Sequence, residues 1–246
     1  MDIKLHKQHQ AVQGSHWWFR VKDNILKDFV SKYLKKGDTV LDFGCNYGHS
    51  VKILKDLGFD AVGVDVSSEA INFGKSIGIS DIYLSSEQNF VSNSFDAVIS
   101  LDVLEHIEDD KKAFSKISQI TKHGGYVVII VPAFMFMWGI QDVISQHYRR
   151  YTLSTLTKLV KESEDFEIVR KTYFNTFLFL PIVMVRLWAR IFPPKNRDSD
   201  LSINNSILNN LFFYIFDLER RLLNHINFPF GVSALLILKK NNVKHI

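Results

Sequence analysis

Leu41-Asp42-Phe43-Gly44-Cys45-Asn46-Tyr47-Gly48 is the stretch that decides the fold. Thr39–Phe43 is a short apolar run that stops at a glycine. From Gly48 to Leu57 the spacing turns helical, with Val51, Ile53, Leu54 and Leu57 on one side and Lys52, Lys55 and Asp56 on the other, and Gly58 closes the helix as a C-cap. A strand that enters a helix through a glycine turn brings backbone close to a ligand and offers it the free N–H groups of the helix start. A second apolar run, Ala61–Val66, contains Asp65, where a carboxylate can take two hydrogen bonds from ribose hydroxyls. The loop holds only Gly44 and Gly48, with Asn46 between them, so the three-glycine pattern of a dinucleotide site fails. Asp42, two residues before Gly44, would repel a pyrophosphate and suits a ligand with a cationic amino group.

Working outward, Ser67-Ser68-Glu69 starts a helix with N-cap chemistry. Ile79–Leu84, Phe95–Ser100 and Tyr126–Val131 read as third, fourth and fifth strands, the last preceded by Gly124-Gly125, and Asp109–Thr121 as an amphipathic helix. Thr152–Ser163 reads as a helix, Phe166–Asn175 as a strand and Val232–Leu238 as the last strand. Residues 176–231 read as two helices, about 177–192 and 204–226, joined through Pro193 to Asp198. The expectation is a Rossmann-like α/β fold: a seven-stranded, mostly parallel sheet with helices on both faces and a helical insertion before the last strand. The expected divisions are a helical lid over 1–34, a core over 35–175, the insertion over 176–231 and the last strand with its tail over 232–246.

Together the Asp42–Gly48 loop, Gly63-Val64-Asp65-Val66-Ser67, Ser94-Phe95-Asp96-Ala97-Val98, Leu101-Asp102-Val103-Leu104-Glu105-His106 and Gly124-Gly125 resemble a class I S-adenosylmethionine-dependent methyltransferase. His16-Trp17-Trp18-Phe19-Arg20, Arg149-Arg150-Tyr151-Thr152, Tyr173-Phe174-Asn175 and Pro229-Phe230-Gly231-Val232-Ser233 are similar to a bacterial and archaeal subgroup associated with glycan or lipid-linked sugar assembly. The resemblance implies that Asp42 meets the methionine amino group of S-adenosylmethionine. Gly44, Cys45, Asn46 and Gly48 form the loop around it, Asp65 holds the ribose and Val66 lines the adenine. It further implies Ser85 or Ser86 near the adenine amino group, Leu101 beside the methionine chain and Arg20 on the cofactor carboxylate. The family's middle loop glycine is Asn46 here, whose side chain narrows the loop. For Trp17, Trp18 and Arg20 a lid over the cofactor and an N-terminal helix packed on the sheet are both open readings.

Methyl transfer is a displacement at a sulfonium, and a base is needed only where the acceptor loses a proton. His106 is the first candidate base and His147, in the loops after the fifth strand, the second; a packed histidine is the competing reading of His106. On a helical turn Asp102, Glu105 and His106 face one side, a set able to hold Mg²⁺. Arg149 and Arg150 suit either an anionic acceptor or a capping cluster. The turn after the fourth strand, Ser100-Leu101-Asp102-Val103, lacks the Asn/Asp-Pro-Pro-aromatic sequence of base-nitrogen methylation.

Composition bounds the rest. The 246 residues carry 32 aromatics, 12 of them within residues 173–230. Residues 1–130 have a net charge of −2 and residues 131–246 a net of +6, too modest a basic excess for nucleic acid as the main partner. A single cysteine, Cys45, excludes an intramolecular disulfide, and Met1–Gln10 does not read as a signal peptide; both suit a cytoplasmic protein. The uncharged run Thr176–Val185 is 10 residues, broken by Pro181, too short to span a bilayer. Arg186 and Arg190 with Trp188 and Phe192 suit a helix lying on the inner face of a membrane, and a cap or a homodimer surface is the competing reading. The expected function is O-methylation of a small-molecule, glycan or lipid-linked acceptor; the alternatives are a non-catalytic S-adenosylmethionine-binding protein and an RNA methyltransferase.

Overall fold

The computed structural model describes residues 12–163, 165–192 and 205–242. The Pro193–Asp198 connector, the first eleven residues and the last four lie outside the described residues. The strands are β1 Thr39–Phe43, β2 Asp60–Asp65, β3 Ile82–Leu84, β4 Phe95–Leu101, β5 Thr121–Pro132, β6 Phe166–Phe174 and β7 Ser233–Lys240. The helices are α1 Trp17–Tyr33, α2 His49–Asp56, α3 Ser68–Ser76, α4 Asp110–Ile120, α5 Ile140–Ile144, α6 Leu153–Lys161, α7 Phe179–Ile191 and α8 Ser206–Leu223. The strands form one sheet in the order β3-β2-β1-β4-β5-β7-β6. The first five run parallel, and β7 lies antiparallel between β5 and β6. The Rossmann-like seven-stranded sheet with a helical segment before its last strand is therefore the observed fold.

Successive side chains of the central strands point to opposite faces. Val40, Ala97 and Val128 pack with Val21, Ile25 and Phe29 of α1, Val51 and Leu54 of α2 and Phe216 of α8. Their neighbours Leu41, Val98 and Ile129 pack with Phe114 and Ile117 of α4 and Leu156 of α6. Two differences from the sequence expectation stand out. β5 begins at Thr121, with the Gly124-Gly125 pair inside it, and a bulge separates the Phe95 pairing from that of Ala97. The short α5 carries no readable period and was not expected.

The aromatic residues of the C-terminal half join α8 to α1. Phe216 is fully buried, stacked on Trp18 and Phe174 with interplanar angles of 19° and 6°. The Trp17 N–H donates to Asn209 Oδ1 at 2.9 Å, and the Asn209 amide donates to the Ser15 carbonyl. Glu219, also on α8, accepts from the Thr176 and Phe177 N–H groups, each at 2.8 Å, and so fixes the turn into α7. No residue of α7 is buried. Arg186 donates to the Met137 carbonyl, and Arg190 to those of Phe136 and Trp138. The two arginines therefore dock the helix on the 135–138 turn, in keeping with the cap reading. Among the described residues no helix is long and apolar enough to cross one.

Candidate functional site

A cavity of about 1470 Å³ opens at the carboxyl ends of β1, β2 and β4, where a parallel sheet binds ligands. Asp42, Gly44, Cys45, Asn46, Asp65, Val66, Ser85, Leu101, His106 and His147 all line it. Arg20, Gly48 and Ser86 do not.

The loop after β1 is held in one shape. Gly44 and Cys45 donate their N–H groups to the Val64 carbonyl at 2.8 and 2.9 Å. Gly44 has φ +85, and a Cβ there would meet Val103 at 2.5 Å. Asn46 has φ +51. Asn is among the few non-glycine residues that adopt this left-handed conformation readily, so it keeps the loop path that a glycine would take. Its N–H donates to Asp65 Oδ2 at 2.8 Å, while Ser67 N–H donates to Asp65 Oδ1 at 2.9 Å. Asp65 is thus oriented by backbone on both oxygens. Gly48 caps α2 at φ +90, and a Cβ there would press into Ile79 and Ile82, so its role is to pack the turn.

Asp42 is 2% exposed. Burial, and then the charge of Asp65, push its carboxyl up to about 7, with Lys22 opposing. Burial and the same two aspartates push the Cys45 thiol far above its ordinary range, so it stays protonated. Arg20 corrects the sequence expectation: its guanidinium lies 3.7 Å from the Phe213 ring centre, on α8. Two residues along α1, about 200° round the helix, Lys22 reaches the cavity instead and pairs with Asp102. Trp17 and Trp18 both line the cavity and pack on Phe216.

A second polar group lies after β4 and β5. His106 and His147 meet edge to face with ring centres 4.4 Å apart. Burial, and then His147, lower the basicity of His106. His147 donates from Nδ1 to the fully buried Asp142 at 2.9 Å. Asp142 also accepts from Arg150 at 2.7 and 3.0 Å and from the Gly139 N–H at 2.7 Å. Burial raises the Asp142 carboxyl, but the His147 and Arg150 hydrogen bonds outweigh it and hold the group well below the usual carboxylate range. Arg149 pairs with Asp110 at 2.8 Å. Both arginines thus make ion pairs within the fold, as the capping reading expects. Asp142 was missed by the sequence reading; its one signal is the spacing to Gly139, three residues earlier, as at a helix start.

The set Asp102, Glu105, His106 expected for Mg²⁺ does not converge. Asp102 sits at φ +57 and its carboxylate pairs with Lys22, while residues 104–106 form a tight 3₁₀ turn. The i, i+3, i+4 face of an α-helix therefore never forms. Glu105, His106 and His147 come together instead.

A glycine loop at the carboxyl end of a parallel sheet, with the carboxylates of Asp42 and Asp65 beside it on one cavity, is the frame within which the comparisons fall. Residues 15–171 match a family model described as "Methyltransferase domain". The chain belongs to that family. It is 25% identical over 159 residues to the uncharacterized protein MJ1252 of Methanocaldococcus jannaschii, covering 61% of each chain. It is 34% identical over 113 residues to phosphoethanolamine N-methyltransferase 1 of Arabidopsis thaliana, covering 42% of this chain and 23% of that one. The chain thus spans less than two thirds of the length of either relative. A putative methyltransferase of Haloferax volcanii, solved in complex with the Trm112 methyltransferase activator, shares the fold with a TM-score of 0.62 and 13% identity, over 97% of this chain and 95% of that one.

Proposed function

We propose that the chain transfers the methyl group of S-adenosylmethionine to an oxygen of a small, glycan or lipid-linked acceptor. One observation carries this reading: a single cavity joins the Asp42–Asp65 end to the His106–His147 end. The cofactor amino group pairs with Asp42 and its ribose hydroxyls with Asp65. The adenine lies along Val66 and Ser85, the methionine chain along Leu101, and Lys22 takes the carboxylate that Arg20 cannot reach. The sulfonium methyl then points toward the two histidines, where an acceptor hydroxyl is held for in-line attack. Oxygen forms the new bond to carbon, the sulfur keeps the electron pair of the broken one, and the hydroxyl proton leaves at the histidine end. Leu178, Ile182, Val185 and Phe212 give the same cavity an apolar wall that suits a lipid-bearing acceptor.

The test is formation of S-adenosylhomocysteine with a panel of free sugars and prenyl-linked saccharides. The product is then mapped by mass spectrometry. A methyl ether is the expected result. Methylation only on nitrogen, or cofactor binding without turnover on any acceptor, overturns the assignment.

A further inference from the structure

Glu105 is fully buried on the cavity wall, and among the described residues neither of its carboxylate oxygens has a hydrogen-bond partner. An unpaired buried carboxylate is costly, and cores avoid one unless something positive meets it. Neither nearby cationic side chain hydrogen-bonds to it. Arg150 is held by Asp142 and the Ala133 carbonyl, and Lys22 by Asp102. What does face Glu105 is a pair of imidazoles: one donor atom from each of Glu105, His106 and His147 lies within 4.8 Å of the other two. Ligand atoms about 2.1 Å from one ion lie at most about 4.2 Å apart, so a small side-chain rotation closes the set. His147 is also prepared as a ligand. Its Nδ1 donates to Asp142, which Arg150 and the Gly139 amide fix in turn. A carboxylate behind an imidazole in this way presents Nε2 unprotonated and in a set direction, as it does behind metal-bound histidines.

We propose that Glu105, His106 and His147 bind a divalent first-row transition metal at the acceptor end of the cavity, with open positions toward the cavity. Two imidazoles and one carboxylate favour ions such as Zn²⁺, Mn²⁺ or Fe²⁺ over Mg²⁺, which prefers oxygen donors. The inference rests on the methyl-transfer reading and sharpens it. A hydroxyl bound to such an ion gives up its proton more easily, so that proton passes to water in the open cavity and the histidines serve as ligands instead of taking it themselves.

The test uses tag-free protein stripped with a chelator and titrated with Co²⁺, followed by visible absorption. S-adenosylmethionine binding is measured by calorimetry on the same samples. The expected result is one equivalent of Co²⁺ with d–d bands, displaced by Zn²⁺ but not by excess Mg²⁺. Glu105→Gln and His147→Gln should each weaken Co²⁺ binding by about 10–100-fold or more while cofactor binding persists. Asp142→Asn should weaken it too, since it disturbs the Nδ1 partner of His147. Wild-type protein that binds the cofactor but shows no Co²⁺ bands overturns the metal and leaves direct proton transfer to a histidine standing. Equal Co²⁺ affinity in wild type and in cofactor-binding Glu105→Gln or His147→Gln protein overturns it as well. Loss of cofactor binding in the wild type would instead refute the methyltransferase reading.

Discussion

The buried carboxylate of Asp142 accepts the Nδ1 proton of His147 at 2.9 Å, and the same carboxylate is gripped by Arg150 at 2.7 Å. Five residues apart in sequence, the two side chains form a fixed couple that sets which nitrogen of His147 faces the cavity. Asp142→Asn keeps the shape but ends this control. We expect kcat to fall by about 10–100-fold with cofactor affinity retained. A steady-state assay alongside calorimetric titration checks this; unchanged kcat would mean that the couple is purely structural.

Asp42 makes cofactor binding depend on pH. Its carboxyl is pushed up to about 7 by burial and by Asp65, against Lys22, so the unbound protein holds a proton there at pH 6. The bound ammonium needs the carboxylate. Affinity should therefore rise about tenfold per pH unit below 7, with release of close to one proton to the buffer. The sign for stability is the opposite. The folded value lies above the ordinary one, so this group favours the unbound fold below about pH 4, and that contribution is lost as the pH rises through 7. Calorimetry in two buffers of different ionisation heat measures the proton count, and a flat affinity from pH 5.5 to 7 contradicts the argument.

Lys22 and Arg20 separate two accounts of the cofactor carboxylate. Lys22 lines the cavity, whereas Arg20 lies over Phe213. Lys22→Ala should weaken S-adenosylmethionine by about tenfold, the scale of one lost charge-assisted hydrogen bond. Arg20→Ala should leave affinity nearly unchanged and cost only about 0.5–1 kcal/mol of stability. The reverse pattern in binding titrations would restore Arg20 to the site.

Asn46 tests the loop. With φ at +51, Asn46→Gly should be tolerated, while Asn46→Val should cost about 1–3 kcal/mol in urea unfolding and disturb the amide that orients Asp65. Equal stability of the two variants would show that the loop takes another path.

Phe216 ties α8 to the α1 helix along the cavity. Phe216→Ala should lower stability by about 3–5 kcal/mol and weaken the cofactor as Trp17 and Trp18 lose support. Thermal unfolding with and without S-adenosylmethionine reads both effects.

The sheet and the glycine loop with Asp42 and Asp65 were legible because each depends on local pattern. Thr39–Phe43 is apolar on both faces, the glycine turn is punctuated, and Asp65 closes the next strand at a fixed distance. The acceptor end was legible only by residue type. His106 and His147 stood out, but their partner Asp142 sits on a helix of five residues, too short to show a period. The Asp102–Glu105–His106 set was misjudged because spacing arguments assume an α-helix, and the left-handed turn at Asp102 breaks that assumption. Arg20 was misjudged for a related reason: composition places a cation on α1, but only packing against Phe213 shows which way it turns. Phe179–Ile191 and Ser206–Leu223 are helical as the sequence suggests, but it left a cap, a dimer surface and a membrane face all open, because the carbonyls that Arg186 and Arg190 serve lie some 50 residues earlier in the chain.

β6 has one partner in the sheet, β7, and β7 reaches it only after about 60 further residues. During synthesis β6 and the helices behind it must therefore wait, unpaired on one flank of an otherwise parallel sheet, until the antiparallel strand is wedged in beside β5. The wall that carries Leu178, Ile182 and Phe212 depends on that wedge. The apolar wall of the cavity should thus form later in synthesis than the Asp42–Asp65 end of the sheet.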